Sequence, residues 1–316
     1  MRIKMKKIVA VAAVAVMSLS LLTGCGSKPA QNKSNQDNVE VVTITDSKGE
    51  VEVPANVKKA VVFELSVLDT MDALGVDVEL GLPSGLPEYL KGYEKDATNV
   101  GSMKEANVEA IYDFAPDVIF ISGRLESYYE ELSKIAPTVY VSLSAENYIA
   151  DVKESINNVA TIFHKSEEAK AKLAELDEKA EEAKTLANAT DQKALMLLAN
   201  EGSLSVYGKG SRYGFIHDSL DVKCADENIE VSTHGQDASY EYISKTNPDI
   251  LFVIDRSAAV GGSVNAKDSL NNDLVNGTIA AKNDKIVYLD STIWYLAGGG
   301  LNSTIQQIDE VIGALK

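Results

Sequence analysis

Arginine is scarce in this chain, and its positions are the first sign of chemistry. Beyond residue 24 there are 23 lysines but only three arginines, Arg124, Arg212 and Arg256. A chain that otherwise draws its positive charge from lysine keeps arginine where a planar fork of donors matters, on a carboxylate, a phosphate or another oxyanion. Arg124 follows the apolar run Val118-Ile119-Phe120-Ile121, and Arg256 follows Ile250-Leu251-Phe252-Val253-Ile254. Both therefore belong near strand carboxyl ends, where open α/β sheets bind ligands. Arg212 lies in Gly208-Lys209-Gly210-Ser211-Arg212-Tyr213-Gly214, a loop whose glycines let backbone and side chain approach a ligand. If the three converge, they make a cationic pocket for a compact anion of charge about −3, one per guanidinium. Three structural ion pairs are the alternative that the residues alone leave open.

Other chemistry finds less support. The glycines around Arg212 run G-x-G-x-x-x-G, one residue too long for the dinucleotide fingerprint, and there is no P-loop, H-E-x-x-H or G-x-S-x-G. A secreted metal-dependent hydrolase would need a nucleophile–base pair or a closed metal triad, and neither is evident. The histidines, His164, His217 and His234, are too scattered for an all-histidine zinc site. His164 reads as a surface residue between helices and His217 as a packed one. His234 differs, because Ser232-Thr233-His234-Gly235-Gln236 is a polar loop without apolar periodicity. Tyr295, in the loop Trp294 to Gly300, could also face a cleft. Cys224 is expected to be an inert, partly buried thiol.

The elements that must carry these residues repeat themselves. Val108-Glu109-Ala110-Ile111, Pro116-Asp117 and Arg124 recur 132 residues later as Tyr240-Glu241-Tyr242-Ile243, Pro248-Asp249 and Arg256. Each copy reads as a short helix stopped by proline, then a strand whose continuous apolarity marks cover on both faces. The fold class is thus α/β, with two similar lobes. The stretch Tyr148 to Phe163, then Ser166 to about Leu186, is rich in Ala, Glu, Leu and Lys and reads as a helical strut between them. The expected organisation is an N-terminal lobe at 40–147, connecting helices at 148–190 and a C-terminal lobe at 191–316. Within it, a helix runs from Ser66 as N-cap to Gly75, and the last helix spans Ser303 to Leu315.

The first residues set the compartment. Arg2, Lys4, Lys6 and Lys7 precede the apolar run from Ile8 to Leu22, a secretory signal at 1–24. Leu22-Thr23-Gly24-Cys25 is a lipobox, so Cys25 is expected to carry the lipid that anchors the chain to the membrane, with a flexible tether over 25–39. Without residues 1–24 the chain has 26 basic against 47 acidic residues, a net charge of −21, which repels nucleic acid and anionic headgroups. Only Cys224 then remains, so no internal disulfide is possible. Roughly 290 residues suffice for two lobes, each with its own core.

Taken together, Val61-Val62-Phe63 with Ser66 to Leu74, Val100-Gly101-Ser102, Ser211-Arg212-Tyr213-Gly214, Ser232-Thr233-His234-Gly235, Ser239 to Arg256, and Trp294-Tyr295-Leu296 carry a resemblance that covers the chain from about Val41. The sequence resembles the class III substrate-binding lipoproteins of bacterial iron-siderophore ABC importers, especially Gram-positive petrobactin-binding and other catecholate-siderophore-binding members. The resemblance implies two Rossmann-like lobes joined by a long rigid helix, a shallow cleft between them, and small closing motions. It implies a non-enzymatic receptor whose arginine trio, Arg124, Arg212 and Arg256, surrounds an anionic ferric catecholate complex. His234 and Tyr295 would complete the iron shell where a tetradentate siderophore leaves positions open. Glu109 and Glu241 would dock the lobes onto the permease, with Glu105 a competitor for the first. No resident cofactor is implied, since ferric iron arrives with the siderophore, and a monomer is expected. A haem or cobalamin receptor is the alternative among binding proteins; it would favour apolar walls and would not need three arginines.

Overall fold

The computed structural model describes residues 40–232 and 234–316, so the signal segment, Cys25 and the tether lie outside the described residues. A hairpin, β1 (Val41–Asp46) and β2 (Gly49–Pro54), opens the described chain. The first sheet follows, from β3 (Lys59–Val62), β4 (Glu79–Ser84), β5 (Thr98–Ser102), β6 (Glu105–Ala106), β7 (Val118–Ser122) and β8 (Thr138–Val141), in the spatial order β6-β5-β4-β3-β7-β8. All its pairs are parallel except β5 with β6. The second sheet is built from β9 (Lys193–Asn200), β10 (Ser203–Tyr207), β11 (Lys223–Cys224), β12 (Gln236–Ala238), β13 (Ile250–Asp255) and β14 (Ile286–Tyr288), in the order β12-β10-β9-β13-β14 with β11 beside β9. Helices cover both faces of each sheet's parallel part, which is why β7 is apolar from Val118 to Ile121 and β13 from Ile250 to Ile254.

The internal repeat has a structural cause. The helices Val108–Phe114 and Tyr240–Thr246 both end in a left-handed residue, Ala115 and Asn247, with proline next. The following aspartate then ties the new strand to its neighbour. Asp117 accepts from the Lys59 N–H at 2.9 Å, and Asp249 from the Lys193 N–H at 2.8 Å. Each Pro-Asp thus ends a helix and sets the register of a parallel pair, β7 on β3 and β13 on β9.

Two expectations need correction. The lobes do not keep separate cores. Val62, Phe120 and Val139 of the first sheet share one cluster with Ile156, Leu176 and Ala183 of the connecting helices and with Met196, Phe252 and Ile308 beyond them. Only the outer faces form lobe-specific clusters, around Ile119 with Ile111 and around Leu197 with Ile243. The reason is that the connecting helices Tyr148–Ile162 and Ser166–Asn188 bury an apolar stripe that packs into the same cluster as both sheets. Second, the helix Leu65–Ala73 is capped by Glu64 and not by Ser66. Ser66 instead lies in the first turn and is buried.

The junction between the first helix and the last, Leu301–Leu315, is a buried carboxylate. Asp69 accepts from the Asn302 N–H at 2.8 Å and the Ser303 N–H at 3.2 Å, and Tyr89 donates to it at 3.3 Å. Gly300 is required beside it, since a Cβ there would collide with the Asp69 carboxylate and the Ser66 carbonyl. Burial outweighs these hydrogen bonds and pushes the Asp69 pKa up to about 6. A folded-state pKa above the unfolded 3.8 stabilises the fold fully below pH 3.8, and that contribution is lost as pH rises through about 6. The amount is on the order of 2–3 kcal/mol. We therefore expect Asp69→Asn to be most destabilising relative to wild type near pH 4, with the gap narrowing toward pH 7. Urea midpoints across that range measure it, and a gap that widens with pH would contradict the assignment.

Candidate functional site

Four loops at strand carboxyl ends build the cleft. Arg124 comes two residues after β7, at the start of a 3-10 turn (Gly123–Tyr128). Arg256 directly follows β13 as the first residue of the helix Arg256–Val260. Its position is held by Asp255, whose buried carboxylate caps that helix at Ala258 and also receives the Ala266 N–H at 2.8 Å. The Arg212 loop is tied across its base by Asp218, which accepts from the Gly210 N–H at 2.7 Å, and by Ser211, which donates to the Gly208 carbonyl. Gly210 sits there at φ +67°, a left-handed conformation that disfavours other residues. Tyr295 ends a single helical turn, Ser291–Tyr295, where the sequence suggested a loop from Trp294 onward.

These loops surround a cavity of about 570 Å³ whose walls include Arg124, Arg212, His234 and Tyr295. Arg256 meets this wall through Tyr295. Its Nε donates to the Tyr295 hydroxyl at 2.6 Å and its Nη1 to Asn200 Oδ1 at 2.5 Å. Arg212 approaches the same ring, 4.9 Å from its centroid, and donates to the Tyr295 carbonyl at 2.7 Å. Arg256 is 5.2 Å from that centroid, so two guanidinium groups flank one tyrosine. Burial raises the Tyr295 pKa, but the Arg256 hydrogen bond and the charges of Arg256, Arg212 and Arg124 outweigh it, and the phenol lies below its ordinary value.

Among the described residues the three guanidinium groups have no carboxylate partner. Among the described residues ten ion pairs occur, and every one uses lysine. This removes the alternative of three structural ion pairs and leaves the arginine charge directed at Tyr295 and the cleft. Beneath them, Tyr148, Phe215 and Trp294 stack in sequence, with centroids 4.6 Å and 5.5 Å apart, and the Tyr148 hydroxyl donates to Gln307 Oε1 at 3.1 Å. That floor ties the first connecting helix, through Tyr148, to the C-terminal lobe.

His234 lines the cavity from an exposed position, its backbone N–H donating to Ser232 Oγ at 3.3 Å. With Tyr295 it supplies two potential iron donors. Among the described residues no three His, Cys, Asp or Glu side chains gather into a metal site. The other histidines are elsewhere. His217 is buried and donates through Nδ1 to the Val222 carbonyl at 2.7 Å, and His164, at φ +56° between two helices, contacts the Ala55 carbonyl. Cys224 is buried, its thiol raised in pKa by that burial and donating to the Asp226 carbonyl.

Glu109 and Glu241 are exposed and hold the second position of equivalent helices. Each helix turns back into a strand through a short left-handed link, so its N-terminus lies toward the strand's carboxyl end, the end that carries the cleft. Glu105 lies on β6, at the sheet edge. Sequence reasoning missed Glu64, Tyr148, Tyr213 and Gln307, which also line the cavity. Tyr213 stood beside Arg212 in the glycine-rich loop and could have been found there. Nothing local marks the other three.

The chain matches the family described as periplasmic binding protein over residues 61–293. It is 41% identical over 308 residues to the petrobactin-binding protein YclQ of Bacillus subtilis, covering 96% of this chain and 97% of that protein. It is 34% identical to the ferric-anguibactin-binding protein FatB of Vibrio anguillarum, covering 95% of each. The YclQ crystal structure superposes with a TM-score of 0.84 at 43% identity, over 88% of this chain and 99% of that one. The catecholate-siderophore binding protein VctP of Vibrio cholerae superposes at 0.81 and 30% identity, over 86% and 99%.

Proposed function

The chain belongs to the periplasmic binding protein family, and from that premise we propose that it is an extracytoplasmic receptor for iron. It takes an anionic ferric catecholate siderophore, of the petrobactin kind, into its cleft and delivers it to an ABC transporter. The observation that carries this reading is the set of three arginines without carboxylate partners among the described residues, two of them flanking Tyr295 at the cleft wall. A polyanionic complex supplies the missing counter-charge, and each guanidinium gains charge-assisted hydrogen bonds to it. Relatives named for petrobactin, ferric anguibactin and catecholate siderophores support the same ligand class. In this reading Cys25 carries the lipid anchor, Glu109 and Glu241 meet the permease, and the receptor works as a monomer without a resident cofactor.

His234 and Tyr295 give the site a second capacity. A hexadentate siderophore fills all six positions of ferric iron, whereas a tetradentate complex leaves two for other donors. A neutral imidazole and a phenolate can take them, and the three arginine charges already favour the phenolate.

Trp294, the only tryptophan, stacks on Phe215 beneath the cavity, so its fluorescence reports occupancy. Titration with ferric catecholates, haem and cobalamin should give saturable quenching with the first class. Saturable binding of haem or cobalamin, with none of any catecholate, would overturn the reading. Within the catecholates, His234→Ala and Tyr295→Phe should weaken tetradentate complexes by about tenfold or more, and hexadentate ones far less. The tetradentate complex should also change its visible charge-transfer band on binding, and Tyr295→Phe should remove part of that change. Equal losses for both ligand classes, with no spectral difference, would leave the two residues as wall only.

A further inference from the structure

One acidic group stands in this cationic cleft. Glu64 follows β3, is 8% exposed and lines the cavity. It caps the helix Leu65–Ala73 through one hydrogen bond, from the Ser66 N–H to Oε1 at 3.3 Å, which is long for a bond to a carboxylate. Every other helix with a side-chain cap among the described residues uses a short residue: Asn107, Ser239, Asp255, Asn265, Asn272, Thr278 or Asp290. Short side chains are favoured there because they reach the first-turn N–H groups at little entropic cost. Capping therefore does not account for glutamate. Nor does ion pairing, since no lysine or arginine among the described residues lies within pairing distance of it. Its second oxygen receives no hydrogen bond from any described residue and is not sealed from the cavity. A carboxylate this far out of water is costly unless a donor reaches it, and the side from which one can come is the ligand's.

We propose that Glu64 is a subsite for a protonated amine carried on the ligand's linker, so that the cleft recognises a ferric catecholate complex bearing both an anionic iron centre and an ammonium group. This rests on the receptor reading above. The arginines hold the anionic centre and Glu64 reads the linker, so the two ends fix the ligand's orientation. Lysine or arginine at Glu64 would remove that reading and would also crowd the guanidinium groups.

The test uses two synthetic ferric catecholate complexes of equal denticity, one with a secondary amine in its linker and one with a methylene there. Fluorescence titration of the wild-type receptor should favour the amine complex by about tenfold. In Glu64→Gln, which keeps an acceptor for Ser66, the ratio should fall to about one, and the amine-free anion should bind at least as tightly. Glu64→Asp, which keeps charge and cap but shortens the reach, should lower the ratio as well. Matching thermal midpoints show that the variants are folded. Binding of both complexes with no preference in wild type, or a preference that survives Glu64→Gln, overturns the subsite and leaves the receptor reading standing. Binding of neither complex overturns both.

Discussion

Replacing Arg212 or Arg256 by alanine should weaken binding of a ferric catecholate complex by roughly 10- to 150-fold, the equivalent of about 1.5–3 kcal/mol for a charge-assisted hydrogen bond to a charged partner. The two losses have different origins. Arg212 lines the cavity, so its removal takes a direct donor from the ligand. Arg256 acts through Tyr295, so Arg256→Ala also frees the phenol and lets its pKa rise toward the ordinary value, since the hydrogen bond and charge of Arg256 do most to lower it. A tetradentate complex that uses the phenolate should therefore suffer more from Arg256→Ala than a hexadentate one. Arg124→Ala belongs to the same range, because Arg124 is part of the wall and its charge reaches Tyr295. Lysine should rescue each position only in part, since a point charge lacks the planar fork. Isothermal titration of the single variants measures all of this, and unchanged affinity in all three alanine variants would remove the arginine site.

Reversing both Glu109 and Glu241 to lysine should reduce iron uptake by whole cells to background while leaving siderophore affinity intact. Both side chains are exposed at the starts of equivalent helices, on the cleft side of their sheets, and neither is among the cavity-lining residues. A permease that presents basic groups to a matched pair of carboxylates would meet like charge at two places in the double variant. Such juxtaposition costs several kcal/mol, enough to empty a transient complex. Radiolabelled iron uptake, paired with fluorescence titration of the same variant, separates docking from binding. If uptake survives the double reversal, the docking assignment is wrong and Glu105, exposed on β6 of the first lobe, is the next residue to reverse.

The legible part of the fold was local in origin. Proline after a short apolar helix ends that helix, and a short run such as Ile250 to Ile254, bounded by Pro-Asp and rich in β-branched residues, reads as a strand covered on both faces. Two copies of that pattern at a constant spacing therefore announced two related sheets and put Arg124 and Arg256 at strand carboxyl ends. The scarcity of arginine marked the ligand chemistry, because a guanidinium differs from an ammonium in shape as well as charge. What remained hidden depends on partners far away in the chain. Tyr148 meets Gln307 across 159 residues, and Asp69 meets Ser303 across 234. No periodicity or spacing encodes such contacts, since they arise only when helices from separate segments pack into one layer. The same packing merged the inner faces of both lobes into a shared core and set the Arg256 guanidinium against the Tyr295 hydroxyl. It also turned Glu64 from one acidic residue among 47 into a buried carboxylate facing the cleft. Residue type thus determined which charges this protein keeps for its ligand. The tertiary structure decided which of them touch it, because burial and distance between sequence-remote groups are properties of the packed chain alone.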